Sequence, residues 1–235
     1  MRDALLGVAA TLPVLLLLGC ASPSFEDPLP GDFRGADPSM VAADFASRVA
    51  TDFELIESAT FRFFGKSFAG IGYVAVSDEE PPGRYALSCM TPAGIKVFEF
   101  RGRGEEVETL FLPEPLTRHG DAFERAVARD VRRIYLDWTP PPGARAKVRR
   151  DRVVFRGETD GGRVEYVYSG RGRTLTEKRF SKGWRTRCLI RYFDYREVDG
   201  KLHPFGVVLK NGKYHYRLVL RVKDVLRDGD EGAKE

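Results

Sequence analysis

The sequence predicts an α+β fold, mainly β, built on one strongly curved antiparallel sheet of about ten or eleven strands. Three observations carry this. Beyond residue 58, aromatic and β-branched segments of strand length alternate with turn chemistry. Several of these segments alternate apolar and polar residues with a period of two. Only two segments carry the 3.6-residue period of a helix, one before the strands and one in their midst.

The chain has 235 residues, 43% hydrophobic and 31% charged, which is a globular composition. Lys+Arg 38 against Asp+Glu 34 leaves a net charge of only +4, so no large one-signed field is expected. The length suits a single domain.

The N-terminus reads as an export signal. Leu5–Leu18 is an apolar run too short to span a bilayer comfortably, behind a short Met1-Arg2 start. It ends Leu17-Leu18-Gly19-Cys20, which resembles the lipobox of bacterial lipoproteins. The resemblance implies cleavage after Gly19, leaving 1–19 as signal peptide, and lipidation of Cys20. It further implies outer-membrane export, because Ala21 and Ser22 follow the cysteine in place of the aspartate that retains lipoproteins in the inner membrane. Residues 20–38, rich in Pro, Gly, Asp and Ser, read as a flexible tether, 39–226 as one domain and 227–235 as a charged tail.

The first helix is expected over 39–54, capped by Ser39, with Val41, Phe45, Val49 and Phe53 at four-residue spacing. Strands with glycine bends follow over 58–77, then over 84–90, 96–101 and 107–112. The second helix is expected over 121–138. Its Phe123, Val127, Val131, Ile134, Tyr135 and Trp138 form one apolar stripe, and Pro140-Pro141-Pro142-Gly143 ends it. The Pro-rich stretch 139–147 reads as a loop. Strands resume over 152–156, 163–169, 174–180, 185–197, 204–210 and 214–223. In the last of these, Tyr214, Tyr216, Leu218, Leu220 and Val222 share one face, and His215, Arg217, Arg221 and Lys223, with Val219, the other.

No Walker A loop, complete dinucleotide fingerprint, Gly-x-Ser-x-Gly elbow or His-Glu-x-x-His is present. His119, His203 and His215 have no ligand spacing with one another or with cysteine, so neither a metal nor a cofactor is expected. Interleaved arginines and aromatics with a pI near 9.0 resemble nucleic-acid binders. The export signal argues against nucleic acid; outward arginines on an envelope protein suit lipid phosphates or acidic partners. Cys89 and Cys188 leave two alternatives, one disulfide or two buried free thiols.

A lipobox, a tether, a helix, successive strands, a central amphipathic helix and more strands together resemble the LolA/LolB-like superfamily of outer-membrane lipoprotein carriers and receptors. The hairpin Tyr85-Ala86-Leu87-Ser88 with Thr91-Pro92-Ala93-Gly94-Ile95-Lys96 is similar to that group's strand–turn–strand segment, and Asp199-Gly200-Lys201-Leu202-His203-Pro204 to its late hairpin. The resemblance implies an incomplete β-barrel closed by a helical lid. It implies a non-enzymatic protein that binds acyl chains, lipid or lipoprotein cargo and meets a periplasmic carrier. It also implies an exposed insertion loop, for which Phe111–Leu116 is the nearest match.

The expected ligand-binding lid residues are Val127, Val131, Ile134, Tyr135 and Trp138. The expected concave-wall residues are Leu87, Phe98, Tyr166, Tyr216, Leu218 and Leu220. The alternative is a structural or assembly lipoprotein that docks envelope proteins and has no lipid cavity.

Overall fold

The computed structural model describes residues 25–63, 65–78, 83–114, 120–159 and 161–226. The signal peptide, Cys20 and the charged tail lie outside the described residues.

Asp37 opens the first helix, α1 (Pro38–Arg48), accepting hydrogen bonds from the Ser39 amide at 2.9 Å and the Ser39 hydroxyl at 2.6 Å. The cap is therefore Asp37, not Ser39, and Pro38 takes the first helical turn, where its missing N–H costs nothing. The helix also ends earlier than the apolar spacing suggests. Val49 is extended and bridges Leu202. Phe53 belongs to the first strand, its ring against Tyr135 and His203. Four-residue spacing continued by chance into a strand whose inward side is apolar too.

The strands are β1 (Asp52–Phe63), β2 (Lys66–Ser77), β3 (Arg84–Met90), β4 (Lys96–Arg103) and β5 (Glu106–Phe111), then, after α2 (Gly120–Tyr135), β6 (Arg145–Val148), β7 (Arg152–Thr159), β8 (Gly162–Ser169), β9 (Thr174–Lys182), β10 (Arg185–Val198), β11 (Lys201–Asn211) and β12 (Tyr216–Leu226). They form one 12-stranded antiparallel sheet in the order β5-β4-β3-β2-β1-β12-β11-β10-β9-β8-β7-β6. The chain runs outward from β1 to β5, crosses through α2, and returns from β6 to β12 beside its start. The sheet is not closed: β5 and β6 are its edges, and α2 is the link between them. Register breaks at Ile56/Glu57, Cys89/Met90, Glu99/Phe100, Val167/Tyr168 and Thr186/Cys188 mark bulges, which bend strands and increase twist. The strand missed by the sequence reading is β6, Arg-Ala-Lys-Val, exposed along its length and without alternation.

Cross-strand partners share a face, so the register identifies the inner wall. Leu87 stands opposite Phe100, Cys89 opposite Phe98, Ala59 opposite Leu220, Phe61 opposite Leu218, and Phe155 opposite Tyr166. The core fills this concave side, under α1 and α2.

The expected tether is docked from Phe25 onward. The Phe25 ring stacks on Phe193 at 5.0 Å on the outer face of the sheet. Glycine is required beneath it, because a Cβ on Gly206 would lie 2.3 Å from the ring. Arg171 N–H then donates to Leu29 O, Phe33 N–H donates to Arg150 O, and the Phe33 side chain is fully buried. The aromatic residues in the Pro/Gly-rich segment outweigh its composition.

Cys89 and Cys188 are free, buried thiols. Five inter-strand spacings separate β3 from β10, about 24 Å along the sheet. A disulfide needs Cα atoms within about 7 Å, so of the two alternatives the structure has the free thiols. Burial pushes both up, Cys89 to about 11 and Cys188 to about 12, which keeps them protonated and unreactive.

Candidate functional site

The site is the interface between α2 and the concave wall. The predicted stripe is the face of α2 that meets the sheet. Val131, Ile134, Tyr135 and Trp138 are buried, and Val127 is partly buried against them. Trp138 lies just beyond the helix, where its ring meets Phe45 of α1 edge-on at 6.1 Å and Tyr192 of β10 at 5.3 Å. At the other end of α2, Phe123 packs on Phe98 and Phe100 of β4. All six predicted wall residues lie on the concave face. Tyr166 and Leu220 are buried, and Leu87, Phe98, Tyr216 and Leu218 are partly so.

The alternation did not single out the polar groups that fasten the helix. Glu57, Asp130 and Lys178 are buried at this interface. Tyr135 donates to Glu57 Oε2 at 2.7 Å. Tyr216 donates to Asp130 Oδ2 and accepts from Asn211 Nδ2 at 3.2 Å. Lys178 Nζ donates to Arg133 O at 2.7 Å, and Tyr192 Oη lies 2.9 Å from Ile134 O. The last two engage carbonyls of the final turn of α2, where the helix dipole favours a donor or a cation. Lys178 is fully buried among the rings of Trp138, Tyr192 and Tyr166, with Nζ 4.8, 5.4 and 5.6 Å from their centroids.

Sequence parity held the signal. Glu57 falls at an inward position between Leu55 and Ala59. Lys178 is inward between Tyr166 and Ile190, its partners on β8 and β10. Asp130 is three residues from Val127 and four from Ile134, on the apolar stripe itself.

Burial sets the electrostatics. It pushes the Glu57 carboxyl up to about 7, against the hydrogen bond from Tyr135. It pushes Asp130 up to about 6, opposed by Arg133 and Arg129. It lowers the Lys178 ammonium to about 7, opposed by Asp137. Of the buried side-chain polar atoms without a hydrogen-bond partner among the described residues, Asp130 Oδ1 and Trp138 Nε1 lie at this interface.

The pH dependence follows with a definite sign. Glu57 and Asp130 bind protons more tightly in the folded state, so their stabilising effect is present at low pH and is lost as pH rises through about 6 to 7. Lys178 binds its proton less tightly when folded, so stability falls as pH drops from its unfolded value near 10.5 through about 7. The interface is therefore weakest near neutrality. In melting curves against pH, Glu57→Gln is expected to flatten the fall between about pH 4.5 and 7, and Lys178→Met the rise above about 7. A variant curve parallel to the parent in its window counts against that assignment.

A separate hollow of about 670 Å³ opens at the ends of the β1–β2 and β11–β12 hairpins, lined by Lys66, Lys210, Asn211, Tyr216 and Arg217 among others. Tyr216 is common to this hollow and to the fastening of α2.

No protein-family profile and no curated relative matches the chain. Solved structures do. A LolA superfamily protein from Nitrosomonas europaea superposes with a TM-score of 0.52 at 12% identity, over 81% of this chain and 93% of that one. A DUF1329 family protein from Desulfovibrio piger superposes with a TM-score of 0.56 at 9% identity, over 80% and 91%. At such identities the likeness is one of architecture. The open, curved antiparallel sheet with a helix across its concave side is a divergent LolA-like fold.

Proposed function

We propose that this chain is a non-enzymatic lipoprotein of the bacterial envelope, anchored through Cys20 in the outer membrane and facing the periplasm. In this reading it takes acyl chains, as lipid or lipidated protein, between α2 and the concave wall, in exchange with a periplasmic carrier. One observation carries the reading. Over the stripe, the cover of the apolar wall is α2, a helix outside the sheet's own pairing, linked in sequence to its two free edges and fastened by side-chain hydrogen bonds to buried ionisable groups.

A cover of this kind can be displaced without unpairing a strand. An acyl chain that replaces the stripe of Val127, Val131, Ile134, Tyr135 and Trp138 against Leu87, Phe98, Tyr166, Tyr216, Leu218 and Leu220 keeps the wall dry. Each buried methylene contributes about 0.8 kcal/mol, so a chain of about sixteen carbons offers roughly 12 kcal/mol before the costs of moving the helix. The fastening groups become hydrated on opening and regain water in place of their partners. The test is native mass spectrometry of the chain from Ala21 onward, purified without detergent from a bacterial periplasm; acyl adducts that leave on denaturation are the expected result.

Burial of the stripe favours a second reading, in which the helix is permanent core and the protein docks envelope partners through its surface. A bare mass, with no uptake of added lipid, supports that reading.

A further inference from the structure

Three consecutive hairpin turns, β1–β2, β11–β12 and β9–β10, leave the sheet side by side at the same end. Residues 62–67, 181–187 and 210–217, which span them, hold eight lysines and arginines and not one aspartate or glutamate. In a chain whose charges nearly balance, this is a strong local segregation. Arg217 stands directly opposite Arg62 on one side and Lys210 on the other. Like charges in opposed positions destabilise a sheet, so the row is maintained against its own repulsion. The Nε of Arg217 is buried without a hydrogen-bond partner among the described residues.

The same end exposes rings. Trp184, at the β9–β10 turn, is 86% exposed, and Phe63, at the end of β1, is 40% exposed. An exposed tryptophan on a protruding tight turn, ringed by cations, matches the chemistry of a bilayer interface. There the indole sits at headgroup depth and the cations meet phosphates.

We propose that this hairpin end docks onto an anionic lipid surface, with Trp184 and Phe63 entering the headgroup layer and Lys66, Lys210 and Arg217 facing lipid phosphates. Chain length agrees, given the Cys20 anchor proposed above. Phe25 is fixed beside Gly206, five residues from the Asn211 turn. The five residues from Cys20 to Phe25 extend to about 17 Å, which equals the rise of the strand from Gly206 to Asn211. An anchor at Cys20 can thus lie level with the hairpin ends.

The test uses the chain from Ala21 to Glu235, which holds every element of the fold and no acyl anchor. Its failure is therefore distinct from failure of acyl binding at α2. It is mixed with phosphatidylcholine vesicles with and without phosphatidylglycerol. Co-flotation is expected only with phosphatidylglycerol, with a blue shift of Trp184 emission. Lys66 and Lys210 are both exposed, and the Lys66→Glu, Lys210→Glu double variant is expected to partition at least about tenfold less, with a melting temperature no lower than the parent's, because Lys210→Glu turns a like-charge pair with Arg217 into an opposite one. Equal binding to neutral vesicles, an undiminished double variant, or an unshifted Trp184 emission overturns the proposal. Release by inorganic phosphate at matched ionic strength also overturns it, because the hollow is then a site for the free ion and not a membrane face.

Discussion

Trp138→Ala is expected to cost about 3–5 kcal/mol of stability, the range for removing a large buried aromatic. Trp138 joins three elements: its ring meets Phe45 of α1, Tyr192 of β10 and the ammonium of Lys178, while its carbonyl faces the Tyr168 hydroxyl at 3.5 Å. Its loss leaves a cavity where α1, the end of α2 and the sheet converge. It also removes the nearest ring from a buried cation. For a domain of this size a loss of that order lowers the melting temperature by about 10 °C. Urea unfolding at constant m-value measures it. The other tryptophan, Trp184, is the control, since its ring is exposed and its replacement by alanine is expected to stay within about 0.5 kcal/mol. Equal effects at the two positions would contradict the placement of Trp138 as the hub.

Val131→Asp is expected to separate α2 from the sheet without unfolding the sheet. Val131 is buried at the middle of the stripe. A carboxylate there must leave the apolar interface or enter it protonated, and either costs several kcal/mol. The hydrogen bonds of Tyr135, Tyr192 and Lys178 join α2 to side chains of the sheet and not to its strand pairing, so undocking is a local event. Hydrogen exchange is expected to quicken by about 100-fold or more in 123–135, while the central strands β1, β11 and β12 keep their protection. Acyl uptake is expected to fall at least tenfold, because an opened, charged stripe no longer closes over a chain. Undiminished uptake in this variant would remove α2 from the proposed function.

How far the sequence could be read is clearest at β12. Strict alternation over Tyr216–Val222 placed Leu218 and Leu220 on the concave side, and the register confirms that face. The stripe of α2 was legible for the same reason, since one period holds from Phe123 to Tyr135. The end of α1 was not legible, because Phe53 satisfies a helical spacing and a strand face equally well. The strand β6 was not, because a short exposed edge needs no apolar pattern. The fastening residues lie in plain view, legible by phase but not by residue type. Glu57, Asp130 and Lys178 are charged residues at positions where the period demands apolar ones. Such a conflict between residue and phase is the sequence signature of a buried polar contact. The pairs themselves, Glu57 with Tyr135 across 78 residues and Lys178 with Arg133 across 45, depend on the curvature of the whole sheet under the helix, which no local pattern encodes.

The membrane-facing hairpin end and the helix-covered wall meet at Tyr216. Tyr216 lines the basic hollow and donates to Asp130 of α2. The two proposals nevertheless stand on separate measurements, vesicle binding for the first and cargo for the second.

Cargo is the more central. Native mass spectrometry of the chain from Ala21 onward, released from a periplasm without detergent, reads it directly. The expected result is a population heavier than the bare chain by the mass of a lipid or fatty acid, which leaves on denaturation and is absent from Val131→Asp. A single bare mass for the parent chain, unchanged after incubation with lipid, would contradict it and leave α2 as the permanent roof of a filled core.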